Sequence, residues 1–324
     1  IIAKSQIEVN IPNHKFQQLS NNPVGHAEII APRIKEPDVN RVIVEGENFN
    51  IEFSKVDGFL CRYDVNGVSM IEKGSSLTPN FWRAGTDNDY GARLNLKYKV
   101  WKNPVMKLNN ITSKVENSMV YVDAEYQMPE VFSTLRLSYV INNEGAIQVT
   151  QKLLTDKGKK VPNMFRYGMR MRMPKEMYYS HFYGRGPVEN YIDRNHNSFV
   201  GIYKMTTQEQ FYPYIRPQEN GCKTDIRWWN QTNKGGIGLN FVASKPFSMV
   251  ALNYTIESLD DGDLKDQRHS GQVEPADFIE VCIDYAQQGL GGENSWGSTC
   301  LPQYRLTYKD YEFTYQIKPL DTVY

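Results

Sequence analysis

The chain has 324 residues, and its 37 Lys and Arg balance 37 Asp and Glu, so the formal net charge is zero. With no net field of either sign, nothing points to nucleic acid or an anionic membrane as partner. A hydrophobic content of 40% supports a real core, while no apolar run approaches the roughly 20 residues of a membrane span.

Length alone suggests about two domains, although all-β architectures often run to about 200–250 residues as one. Aromatics make up 12% of the chain, with 21 Tyr against 5 Trp. That enrichment favours strands and also suits surfaces that recognise sugars. The amino terminus, IIAKSQIEVNIPNHKF, lacks the basic-then-apolar organisation of a signal peptide and an initiator Met. It is expected to be part of a longer protein. Residues 1–38 are interrupted by Pro12, Pro23, Pro32 and Pro37, and only His26 to Ile30 is strand-like. This stretch reads as the tail of a preceding domain or a linker, with the main domain at 39–324.

From there alternation dominates. Val42–Glu45 and Phe49–Phe53 read as short strands, and Leu60–Val65 and Val68–Ile71 form a hairpin across Asn66-Gly67. Val120–Tyr126, Thr134–Ile141 and Ile147–Leu154 continue the pattern, as do Ile237–Phe241, Phe247–Tyr254, Phe278–Tyr285 and Tyr311–Ile317. Helical periodicity is confined to brief pieces such as Pro187–Arg194 and Thr207–Gln210. The fold expected is all-β, a large antiparallel sandwich. Cys61, Cys222, Cys282 and Cys300 have no C-x-x-C spacing, so a zinc site is not expected and free buried thiols fit their scatter.

Four segments hold residues that ordinary strands do not need. Phe81-Trp82-Arg83-Ala84-Gly85-Thr86-Asp87-Asn88-Asp89-Tyr90-Gly91 begins like a calcium loop but lacks the spaced Glu. A turn fixed by Asp and Asn side chains is the plainer reading, with Trp82 and Arg83 giving a polar, aromatic rim. Tyr183-Gly184-Arg185-Gly186-Pro187-Val188-Glu189-Asn190-Tyr191-Ile192-Asp193-Arg194 lacks the third glycine and βαβ context of a dinucleotide site. It reads as a turn held by Arg185 and Arg194 against Glu189 and Asp193. In Tyr212 to Gly221 the prolines exclude a central strand, and Gln218-Glu219-Asn220-Gly221 offers groups for sugar hydroxyls or for buried backbone. Trp228 and Trp229 follow, adjacent on a strand and so facing opposite ways. Lastly, Gly289-Leu290-Gly291-Gly292-Glu293-Asn294-Ser295-Trp296 presents a tryptophan with no apolar neighbour on a glycine-rich loop. Trp296 either plugs the sandwich end or serves as a platform.

In this order, F-W-R-A-x-x-D-N-D-x-G, G-x-G-P-x-E-N-Y-x-D-R, Y-x-Y-x-x-P-Q-E-N-G and G-x-G-G-x-x-S-W resemble the carboxy-terminal domain of glycoside hydrolase family 2 β-galactosidases, the LacZ type. The resemblance covers about residues 39 to 319. It implies a β-supersandwich similar to galactose mutarotases, placed after a catalytic barrel and an immunoglobulin-like domain whose tail would be residues 1–38. It also implies that Trp296 lies at the mouth of the barrel's active site and stacks on sugar, with Glu293 and Asn294 beside it. Asp87, Asn88, Asp89 and Gly91 would border a mobile loop at the same mouth. Ala92-Arg93-Leu94 departs from the better-known members there.

By the same resemblance, the two catalytic glutamates and the Mg and Na sites of such an enzyme belong to the barrel, so no catalytic residue, cofactor or metal is expected in this chain. The partners implied are a β-galactoside or oligosaccharide, the other domains of the polypeptide and a homo-oligomer. The compartment stays open between bacterial cytoplasm and periplasm. Two other classes remain in view. An aldose 1-epimerase would need a histidine–glutamate pair, for which only His181 and His196 lie near a glycine-rich motif. A stand-alone carbohydrate-binding module would use Trp82, Trp228, Trp229 and Trp296 as an exposed platform.

Overall fold

The structure, a computed structural model, describes residues 5–7, 17–21, 30–294 and 296–320; the strand-like stretch expected at His26 to Ile30 lies, except for Ile30, outside them. Among the described residues, seventeen strands build two antiparallel sheets. The first is a five-stranded meander of β1 (Arg33–Asp38), β2 (Arg41–Glu45), β3 (Phe49–Ser54), β4 (Leu60–Val65) and β5 (Val68–Ser69). Alternate residues of β2 and β3, among them Val42, Val44, Ile51 and Phe53, turn inward and are buried. Because β1 pairs with β2, residues 33–38 belong to this sheet, and the 38/39 position falls in their connecting turn.

The larger sheet contains β6 (Thr78–Asn80), β7 (Lys107–Glu116), β8 (Met119–Met128), β9 (Ser133–Ile141), β10 (Ile147–Thr155) and β11 (Arg166–Pro174). It continues with β12 (Tyr179–Gly186), β13 (Phe199–Thr206), β14 (Lys223–Thr232), β15 (Gly238–Leu252), β16 (Phe278–Gln287) and β17 (Tyr311–Leu320). Its main path runs β13-β12-β14-β15-β17-β10-β9-β8-β7. The sheet forks at β15, where Gly238 to Ala243 pair with β17 and Ser248 to Leu252 pair with β16. The branch then carries β11 and β6.

One core joins the layers. Phe53 of the small sheet meets Tyr139 of β9 edge-on at 4.9 Å, and the Tyr63 hydroxyl donates to the Gly145 carbonyl at 2.6 Å. Such aromatic pairs bury large apolar area and add a preference for their geometry. On β11, Met169, Met171 and Met173 fill the space against Ile279, Val281 and Ile283, where an unbranched side chain adapts to an irregular gap.

Two expectations need correction. Pro187 to Arg194 is not helical but an irregular segment with a Tyr191–Arg194 bridge. Its backbone is held by a side chain instead: Asn190 Nδ2 donates to the Arg185 and Val188 carbonyls, both at 3.1 Å. Likewise Gly184 and Gly186 are not turn residues. They are paired within β12, and a Cβ at Gly184 would sit 2.3 Å from Ile226 Cδ1. The expected helix at Thr207–Gln210 is present, with Thr206 and Glu209 forming a capping box.

Candidate functional site

The four glycine- and carboxylate-rich segments converge at one end of the sandwich. A buried arginine joins two of them. Arg83, fully buried, pairs with Asp89 through two hydrogen bonds of 3.1 and 2.8 Å. Its remaining donors reach the carbonyls of Gln288 and Gly289 and the Gln287 side chain. A guanidinium can do this because its donors form a rigid fork. Asp89 in turn closes the short helix α1 (Asp87–Gly91): its carboxylate accepts from Thr86 N at 3.0 Å, and Thr86 Oγ1 accepts from Asp89 N at 3.2 Å. The D-N-D segment is therefore a capped helical turn. Among the described residues, no cluster of His, Cys, Asp or Glu is placed to hold a metal ion.

The second segment docks on the fourth. Asp193 accepts from the amides of Leu290 at 3.1 Å and Gly291 at 2.9 Å, while Asn88 Nδ2 donates to the Leu290 carbonyl at 3.3 Å. Asp193 does not serve Arg185 or Arg194, as the sequence suggested. Arg185 pairs with Asp225 and Arg194 with Glu189. The Arg185–Asp225 partnership spans a bulge in β14, where Asp225 takes a φ of 55°. No local spacing could have revealed it.

Glu189 ties in the third segment by accepting from Gly221 N at 2.9 Å and from Tyr214 Oη. Glu219 accepts from Arg166 at 2.8 Å and Gln287 at 3.0 Å, all three buried. Arg166 also lies 3.1 Å from Asp284, whose carboxyl is pushed up to about 7 by burial, opposed by Arg166 and reinforced by Glu219. Nearby, burial pushes the Lys223 amine down to about 8; its ammonium donates to the Gly221 carbonyl at 2.9 Å. Glu189 and Glu219 hold loops together, while Asp284, on β16, has among the described residues only the Arg166 ion pair.

What reaches solvent is Trp296. It is 91% exposed, and its amide donates to Asn294 Oδ1 at 2.9 Å, so the side chain stands away from the protein. Glu293 and Asn294 are exposed, Asp87 is exposed, Asn88 and Gly91 are half-buried, and Ser295 lies outside the described residues. A Cβ built on Gly297 would lie 3.6 Å from the Gly91 carbonyl, so the Trp296 loop and the end of α1 are neighbours. A cleft of about 400 Å³ opens between α1, Asp193, Tyr214, Gln218 and the Leu290–Gly292 backbone.

The other tryptophans are not a platform. Trp82 is buried, with its Nε1 donating to Asp260 at 2.8 Å, so neither it nor Arg83 forms a rim. Trp229 is buried and stacks on Phe182 at 4.5 Å; Trp228, on the opposite face of β14, is half-buried beside His181. His181 faces Trp228, and burial together with the nearby Lys204 lowers its pKa. The described structure assembles no histidine–glutamate pair of the kind an epimerase needs.

Residues 45–317 match the model of the family described as beta galactosidase small chain. The chain belongs to that family. It is 31% identical to the beta-galactosidase of Priestia megaterium over 280 residues, which cover 86% of this chain and 26% of that protein. Against the beta-galactosidase of Streptococcus thermophilus it is 28% identical, covering 89% of this chain and 28% of that protein. The family member described here thus spans about a quarter of the length of the curated relatives it matches. A galactose 1-epimerase structure from Lactobacillus acidophilus aligns with 90% of the chain and 98% of its own, at 10% identity and a TM-score of 0.46. As the sequence led one to expect, the fold of the described residues is all-β and antiparallel. All four cysteines are free thiols.

Proposed function

We propose that this domain is the rim-forming, non-catalytic part of an enzyme that hydrolyses terminal β-galactosides. The observation that carries this reading is Trp296, a family-motif tryptophan held out into solvent by a loop anchored on α1 and Asp193. The apolar C–H face of a pyranose lies on an indole, and the polar groups of Glu293 and Asn294 flank it. Retaining hydrolysis needs two carboxylates about 5–5.5 Å apart, one as acid/base and one as nucleophile. By the family resemblance, both catalytic glutamates, and any Mg or Na, belong to a barrel outside this chain. In this scheme the domain stacks the leaving-group sugar and supports assembly.

The test is hydrolysis of a chromogenic β-galactoside and of lactose by the full-length protein and its Trp296→Ala variant. The expected result is turnover of both by the wild type, with KM for lactose raised about five-fold or more in the variant. Absence of turnover with any β-galactoside would overturn the reading.

A further inference from the structure

We infer that Asp193 is a positioning residue for the Trp296 loop, and that through this loop it helps to select the leaving-group sugar. The second half of that statement rests on the function proposed above; the first half does not.

The geometry is a two-point clamp. Consecutive amides, Leu290 N and Gly291 N, donate to the two different oxygens of one carboxylate at 3.1 and 2.9 Å. One bond would fix a distance; two fix the orientation of the Leu290–Gly291 peptide as well. Hydrogen bonds to an ionised acceptor are also the stronger class. Asp193 stands 97 and 98 residues away from these amides, so the clamp joins separate segments and is not local turn chemistry.

The surroundings are shaped for it. A Cβ at Gly289 would fall 2.6 Å from Asp193 Oδ2, so a side chain there would displace the carboxylate. Asn88 Nδ2 takes the Leu290 carbonyl on the α1 side. Asp193 is itself held in place, because Tyr191 and Arg194 on either side exchange backbone hydrogen bonds of 3.4 and 2.7 Å. Arg194 is paired with Glu189, which also grips Gly221. A continuous set of bonds therefore runs from the Gly221 turn through Asp193 to the base of the loop that presents Trp296.

Asp193→Asn probes the clamp with almost no change of shape. Its amide nitrogen would face a backbone N–H, donor against donor, and one of the two bonds would be lost. The experiment follows hydrogen exchange of the 288–298 segment in the full-length protein, together with KM and kcat for lactose and for a small chromogenic β-galactoside. The variant should exchange about ten-fold faster across 288–298, with β16 unaffected. It should also raise KM for lactose about five-fold while kcat for the small substrate holds.

Unchanged exchange would overturn the clamp. Faster exchange with unaltered lactose KM, in a protein where Trp296→Ala does raise that KM, would overturn the role in sugar selection. Faster exchange with Trp296→Ala itself silent would leave the clamp standing and remove the platform reading instead. Should Asp193→Asn not fold, Gly289→Ala perturbs the same contact from the other partner and carries the same expected signature. Unaltered exchange in Gly289→Ala would equally overturn the clamp.

Discussion

The body of the sandwich and its loop-built end both bury side chains, but of different kinds. Where β8, β9 and β10 face the small sheet, the buried side chains are Val120, Val122, Leu135, Leu137, Tyr139, Ile147 and Val149. At the loop end Arg83, Asp89, Arg166, Glu219, Lys223 and Asp284 are buried. Apolar packing is non-directional and tolerates exchanges that keep volume. Buried charges carry a desolvation cost that only good geometry offsets, so their partners are fixed one by one. The lesson is about specification. The body sets how the strands pack, whereas the end sets where loops from distant parts of the sequence stop.

The contrast is broken most directly by Arg83→Met. It leaves Asp89 buried without its cation and strands the Gln288 and Gly289 carbonyls, so about 3–5 kcal/mol should be lost. Equilibrium denaturation would read this, and a loss below about 1 kcal/mol would mean the end is not held by its charges. In the body, Leu137→Ala should cost about 3 kcal/mol by cavity formation, while Leu137→Met should cost less than about 1.5 kcal/mol. If the Met exchange proved as damaging as the Ala exchange, the tolerance attributed to the body would be wrong.

The smallest effect concerns Lys223. The folded amine loses its proton near pH 8, whereas an unfolded lysine holds it to about 10.4. Between those values the unfolded chain binds more protons, so stability rises with pH. Relative to Lys223→Met, the wild type should gain about 2 kcal/mol between pH 8 and pH 10. Parallel pH profiles for the two proteins would remove Lys223 from the account.

Much of the body was legible because one buried face leaves a period-2 pattern. β2, β3, β8, β9, β10, β16 and β17 each appear within a few residues of the alternating runs. β7 was not legible, since as an edge strand it is mostly exposed and shows no alternation. β11 hides its pattern for the opposite reason: Arg166, Tyr167, Gly168 and Met169 are buried in succession. β15 read as two strands, because Lys245-Pro246 interrupts its apolar run at the fork. At the end of the sandwich the residue types that matter stood out, but their partnerships did not. Asp193 lies nearly a hundred positions from the amides it holds, and Trp82 looked like a rim until Asp260 was seen to draw its indole inward.

The place of β17 has a consequence for synthesis. It lies between β15 and β10 in the middle of the large sheet, with Thr314 opposite Thr150, partners 164 residues apart. Without β17, β10 and the Gly238–Ala243 part of β15 each lack the partner strand between them. Closing so long a loop precedes the reward of pairing. The link between the two parts of the main path can therefore form only once the last described strand has been made.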